Sequence, residues 1–228
     1  MLILGGGLAF TFIKAKGIPV GNSLVEDSML ETAKDLIEYA KEHKKKLVIP
    51  IDAVCGESFP SGPVDKSDTK TFDLSEGSSG VEDGWSGFDI GPKSTDLIRN
   101  SLLGASKVVF NGESEYHVIV YISTPIAHYC PHLLGPMGVF EVSPYDEGTR
   151  RLVDALQEIT KNGCITVVGG GDSVAALEAF GKTSVVSYVS TGGGATLELL
   201  AGEELPGVTA IKDVVTEDEE FSSCCSLS

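Results

Sequence analysis

Cations are scarce in this sequence. Its 228 residues carry 17 Lys and Arg against 33 Asp and Glu, a formal net charge of −16. A surface of that sign repels a phosphate backbone, which excludes nonspecific nucleic-acid binding. Paired cysteines are missing too. Cys55, Cys130, Cys164, Cys224 and Cys225 make an odd number with no C-x-x-C, so the thiols read as reduced, in a reducing compartment. No apolar run is long enough to span a bilayer. Met1-Leu2-Ile3-Leu4 lacks the basic flank of a signal peptide and reads as a core strand. Two nucleotide signatures are also incomplete. No glycine cluster extends to G-x-x-x-x-G-K-[ST], which excludes a P-loop, and Val174 stands where G-x-G-x-x-G would need its last glycine. A dinucleotide oxidoreductase therefore ranks last among the readings.

What remains is a globular composition, 42% hydrophobic with 27 glycines, and an alternation of strand and helix signals. Strands are expected at Leu2–Leu4, Leu47–Ile51, Lys107–Phe110, Ile165–Val168 and Val185–Val189. Helices are expected at Met29–Lys45, Ser94–Leu103, Thr149–Lys161 and Ala195–Leu200, with Leu152, Leu156 and Ile159 on one face of the third. Residues 65–84 are polar and read as a loop or short edge strands. The fold class that follows is α/β: a three-layer Rossmann-like domain with a parallel sheet and helices on both faces.

Three glycine triplets, Gly5–Gly7, Gly169–Gly171 and Gly192–Gly194, end predicted strands. One triplet alone is a tight turn; three at strand ends converge on one rim, where such sheets bind ligands. Gly169-Gly170-Gly171-Asp172-Ser173 leads from a strand into a helix beginning near Val174. Glycine admits a phosphate to the backbone, and the first N–H groups of the helix face it. Asp172 repels bare phosphate and fits only with a cation between; the plainer reading makes it a helix N-cap.

Five stretches carry a family resemblance: Gly5–Phe12, Gly84–Pro92, Gly135–Glu141, Gly163–Ser173, and Ser190–Ala195 leading to Leu205-Pro206-Gly207-Val208. In their order and content they resemble the carboxyl-terminal, nucleotide-binding half of phosphoglycerate kinase. The resemblance covers nearly everything from Leu2 to Ile211 and implies phosphoryl transfer between ATP/ADP and 3-phosphoglycerate with Mg²⁺. By that resemblance Gly6, Gly7 and Leu24 line an adenine pocket, and Gly87 and Phe88 form its opposite wall. Asn111, Pro136 and Glu141 neighbour ribose and phosphate, although Glu141 alone also reads as a solvated surface acid. Gly170, Gly171, Asp172 and Ser173 form the phosphate and Mg²⁺ turn. Gly192, Gly193 and Gly194 donate to the phosphoryl group in flight. The family further implies a monomer in the cytoplasm, with the plastid as the alternative, and no membrane or nucleic-acid partner.

Two departures stand out. The domain that binds 3-phosphoglycerate in the family would precede Met1, and no basic cluster here replaces it; Lys44-Lys45-Lys46 reads as solvated. This chain alone is therefore expected to bind nucleotide weakly and not to turn over, which leaves a non-catalytic ATP/ADP-binding module as the alternative. Second, the family's continuous N-G-P-M-G-V-F-E is split between Asn111-Gly112 and Pro136 by residues 113–135. The interruption has the form of a retained intron: Gly112-Glu113-Ser114 can be encoded with a splice donor, and Leu134-Gly135 with an intron end. His117, His128, Cys130 and His132 fit no standard zinc spacing. A translated insert is expected to bulge out and separate Asn111 from Pro136. The domain is thus read as 1–211, with 212–228 an acidic, disordered tail.

Overall fold

The computed structural model describes residues 1–112, 132–190, 192, 195, 198 and 202–210. Strands β1 (Leu2–Leu4), β2 (Leu47–Val48), β6 (Lys107–Asn111), β7 (His132–Leu134), β8 (Ile165–Gly169) and β9 (Tyr188–Ser190) form one sheet. Its order is β2-β1-β7-β6-β8-β9, with every pairing parallel. The expected α/β architecture is present. A second sheet of order β4-β3-β5 joins β3 (Asp52–Gly56), β4 (Lys70–Asp73) and β5 (Ser86–Ile90). It is antiparallel, with a bulge between Val54 and Cys55. The single strand expected over Leu47–Ile51 is therefore cut short. Pro50 has no N–H to give a sheet ladder, and the chain leaves one sheet at Val48 and enters the other at Asp52.

Helix α1 (Gly6–Ala15) follows β1 without a loop. Two opening glycines are poor helix formers, so tertiary burial of Ala9, Phe10, Phe12 and Ile13 carries it. It ends where Gly17, at φ +81°, turns the chain and donates its N–H to Lys14 O. Helices α2 (Leu30–Glu42) and α4 (Glu147–Lys161) follow the expected periodicity. Helix α3 (Pro92–Leu102) starts with proline at its first position, where the missing N–H is harmless. Its next two N–H groups, of Lys93 and Ser94, are accepted by the Asp52 carboxylate at 3.0 and 2.7 Å. Helix α5 (Gly171–Ala179) leaves β8. The strand expected over Val185–Val189 is instead a 3-10 turn at Thr183–Val185, with β9 starting three residues later. The short edge strand allowed for in 65–84 is β4.

Alternation along β1 divides the interior. Ile3 enters a core with Ile98, Phe110, Leu156 and Leu177, whereas Leu4 enters a second core with Phe10, Phe12 and Phe72. Residues 113–131 and 211–228 lie outside the described residues, and with them most of the predicted insert and the tail. Of the predicted helix Ala195–Leu200, only Ala195 and Glu198 are described.

Candidate functional site

The carboxyl ends of β1, β7, β6 and β8 bring most of the predicted residues into one rim. Gly6 follows β1 at φ +57°, and a Cβ on it would lie 2.8 Å from the Pro136 carbonyl oxygen. A Cβ on Gly112 would lie 2.7 Å from Pro136 Cδ and 2.8 Å from Ser173 Oγ. Gly170, at φ +83°, would strike Gly112 in the same way. Gly6, Pro136, Gly112 and Gly170 thus form a continuous line of backbone contacts. The insert does not separate Asn111 from Pro136, contrary to expectation. Residues 132–134 pair in parallel with β6, Leu134 opposite Asn111, and the Gly135 N–H donates to Asn111 O at 2.8 Å.

An apolar wall adjoins this rim. A Cβ on Gly7 would lie 2.9 Å from Leu24 Cδ2, and Leu24 is itself 65% exposed. The neighbouring Ser23 Oγ accepts the Gly87 N–H at 2.9 Å, and Gly87 sits directly on the Phe10 ring. Phe88 stacks edge-on against Tyr145 and Phe59. Its carbonyl accepts the Val139 N–H at 2.8 Å, tying the Pro136 segment to β5. Glu141 lies exposed two residues beyond that tie.

The phosphate turn differs from expectation in one respect. Helix α5 begins at Gly171, with Gly170 as its N-cap, so Asp172 lies inside the first turn and is not the cap. A carboxylate there complements the helix dipole. The N–H groups of Asp172 and Ser173 do not face open space, because both point at Gly112 O, at 3.2 and 3.5 Å. Two side-chain oxygens there are orphaned: Asn111 Oδ1 and Ser173 Oγ are buried without a hydrogen-bond partner among the described residues. Buried polar atoms are almost always paired, at a cost of about 1–3 kcal/mol when they are not. Two such atoms, one of them on the residue next to Asp172, suit an oxygen-rich ligand or a hard cation. No group of three or more His, Cys, Asp or Glu gathers among the described residues. Mg²⁺ fits that set, since it commonly takes one carboxylate, phosphate oxygens and water. Gly192 follows β9, its N–H 3.3 Å from Ser190 Oγ; Gly193 and Gly194 lie outside the described residues.

Residues 1–114 and 132–203 match the family described as PGK, phosphoglycerate kinase. The chain belongs to the phosphoglycerate kinase family. The phosphoglycerate kinase of Thermosipho africanus is 42% identical over 210 residues, covering 92% of this chain and 45% of that protein. The chloroplastic phosphoglycerate kinase of Volvox carteri is 41% identical over 212 residues, covering 93% and 39%. The structure of phosphoglycerate kinase from Coxiella burnetii superposes with a TM-score of 0.72 at 32% identity, covering 91% of this chain and 45% of that one. The chain spans about half the length of the relatives it matches. The match to the phosphoglycerate kinase family lapses between 114 and 132, within the interruption read from the sequence.

Two acids that support the site escaped the sequence reading. Asp89 is buried on β5, where its carboxylate accepts the N–H groups of Ile90 at 2.8 Å and Gly148 at 2.6 Å. It packs directly against Gly138 and Gly148, pinning the Pro136 segment to the start of α4. Burial pushes its carboxyl well above the usual range, against the lowering effect of both N–H bonds. Asp52 clasps the start of α3, and Ser94 Oγ donates back to it at 2.5 Å. The available signal was a lone acid within a short apolar stretch, at Ile51-Asp52-Ala53-Val54 and at Phe88-Asp89-Ile90.

Proposed function

We propose that this chain is the nucleotide-binding half of a phosphoglycerate kinase. In the assembled enzyme it holds ATP or ADP while a phosphoryl group passes to or from 3-phosphoglycerate on a second domain. The observation that carries this is the rim itself: Gly6, Pro136, Gly112 and Gly170 in contact, with the orphaned oxygens of Asn111, at the end of β6, and of Ser173, which follows Asp172 in the first turn of α5. Gly7, Leu24, Gly87 and Phe88 receive the base, and Glu141 accepts from the ribose hydroxyls. Asp172, with Ser173 and Asn111, would hold Mg²⁺, which when bound would supply positive charge to offset that on the transferred group. Gly192, Gly193 and Gly194 supply backbone donors to that group.

The alternative is a non-catalytic ATP/ADP-binding module. The scarcity of cations in residues 1–228 favours it for this polypeptide taken alone. The test uses the single tryptophan. Trp85 packs against Phe72 two residues from Gly87, so ADP with Mg²⁺ is expected to change its fluorescence saturably. Phosphoryl transfer to 3-phosphoglycerate is expected only once a substrate-binding domain is joined. No saturable response to either nucleotide refutes both readings; turnover by this chain alone refutes the division of labour.

A further inference from the structure

The sheet has a weak point at its centre, in β7. Among the described residues its hydrogen-bond ladder passes from the β2–β1 pair to β6–β8–β9 only through β7. β7 has three residues, each matched on both sides: His132, Leu133 and Leu134 lie opposite Leu2, Ile3 and Leu4 in one direction and Val109, Phe110 and Asn111 in the other. Without it, β1 and β6 stand two strand spacings apart, about 9.6 Å, too far to pair. Ile3, Leu4, Phe110 and Asn111 are all buried, so water could not take over their backbone groups unless the two cores parted.

We propose that β7 is the keystone of this sheet. Residues 132–134, which belong to the segment interrupting the family motif, are the link by which the half holding β1, β2, α1 and α2 is fastened to the half holding β6, β8 and β9. β7 also sets the rim, because it hands the chain to Gly135, bonded to Asn111 O, and to Pro136, packed on Gly6. A chain in which Gly112 ran directly into Pro136 would hold an open slot between β1 and β6, shaped for one extended strand running parallel to both.

The proposal concerns the sheet alone and stands whether or not nucleotide binds. Its test is urea unfolding of the full chain with two probes. Trp85 fluorescence reports the second core, and reaction of Cys164 with a thiol reagent, in a background where the other four cysteines are Ser, reports the first. The parent should show one shared midpoint. Leu133→Pro removes a ladder donor from a central strand; it is expected to lower the midpoints by about 1 M urea and to separate them. Leu133→Thr keeps the N–H and should leave one shared midpoint. A chain lacking 113–135 should split likewise or lose its cooperative transition, and a peptide of residues 129–136 should restore it. The proposal is overturned if Leu133→Pro keeps the parent midpoint, if Thr and Pro act alike, or if the shortened chain unfolds like the parent without peptide.

Discussion

Gly170 and Gly171 are neighbours in sequence, yet they should respond oppositely to an added methyl group. Gly170 sits at φ +83°, ψ 143°, a region almost confined to glycine, where another residue costs about 1–3 kcal/mol. Its Cβ would also drive into Gly112, whose carbonyl holds the Asp172 and Ser173 N–H groups; each bond lost costs about 1 kcal/mol. The stiffer unfolded chain returns only about 0.4–1 kcal/mol. Gly170→Ala should therefore destabilise by about 3 kcal/mol, a fall of about 1 M or more in urea midpoint and about 10 °C in Tm. Gly171 has nothing within 4 Å of its would-be Cβ and lies in the first turn of α5. Gly171→Ala should be neutral or stabilising by up to about 1 kcal/mol. Its methyl group would occupy the space through which a phosphate approaches in the proposed nucleotide site, so on that proposal ADP affinity should fall while stability holds. Paired urea curves and an ADP titration read both effects. Equal midpoint shifts in the two variants would refute the packed-turn account. Unchanged ADP affinity in Gly171→Ala, with the parent binding, would remove the phosphate from this turn.

Other consequences are open to test. Because the folded state raises the Asp89 carboxyl, the folded chain keeps a proton that the unfolded chain releases. Its contribution to stability thus declines as pH rises from the ordinary carboxylate range, about 3.9, through the raised value. The stability of the parent minus that of Asp89→Asn, from urea curves between pH 4 and 8, should fall with pH; a flat difference would contradict the burial argument. Asp52→Ala strips three acceptor contacts from Lys93 N, Ser94 N and Ser94 Oγ and should cost about 2–4 kcal/mol in the same assay. A loss below 1 kcal/mol would mean water replaces the clasp. Asp172→Asn should change stability by less than about 1 kcal/mol yet abolish the gain in ADP affinity from Mg²⁺, measured by calorimetry with and without chelator. Retention of that gain would place the ion elsewhere.

The parts legible in the sequence were those with a repeating cue. The face of α4 showed its period over fifteen residues, and glycines at strand ends marked the rim, where side chains at Gly6, Gly7 and Gly170 would collide. The second sheet was missed because S-G-F-D-I at β5 reads as a turn; Gly87 is there to admit Phe10 and Asp89 to anchor Gly148. Helix α1 hid behind its two opening glycines, since propensity is local and the burial of Phe12 and Ile13 is not. β7 is too short to show any period, and its place depends on partners more than twenty residues away on both sides. The occupation of the α5 N–H groups by Gly112 O was likewise invisible, because a carbonyl carries no residue signature.

Among the described residues each core holds one buried cysteine: Cys55 in the one that takes Leu4, Cys164 in the one that takes Ile3. Burial pushes the Cys55 thiol up to about 12, so it is almost wholly protonated at neutral pH even where a reagent can reach it. Opening returns it to an ordinary pKa near 8.5 and raises its thiolate fraction by about a thousandfold. The protein thus carries two built-in clocks, one in each half of its interior, and each starts only when its own half comes apart.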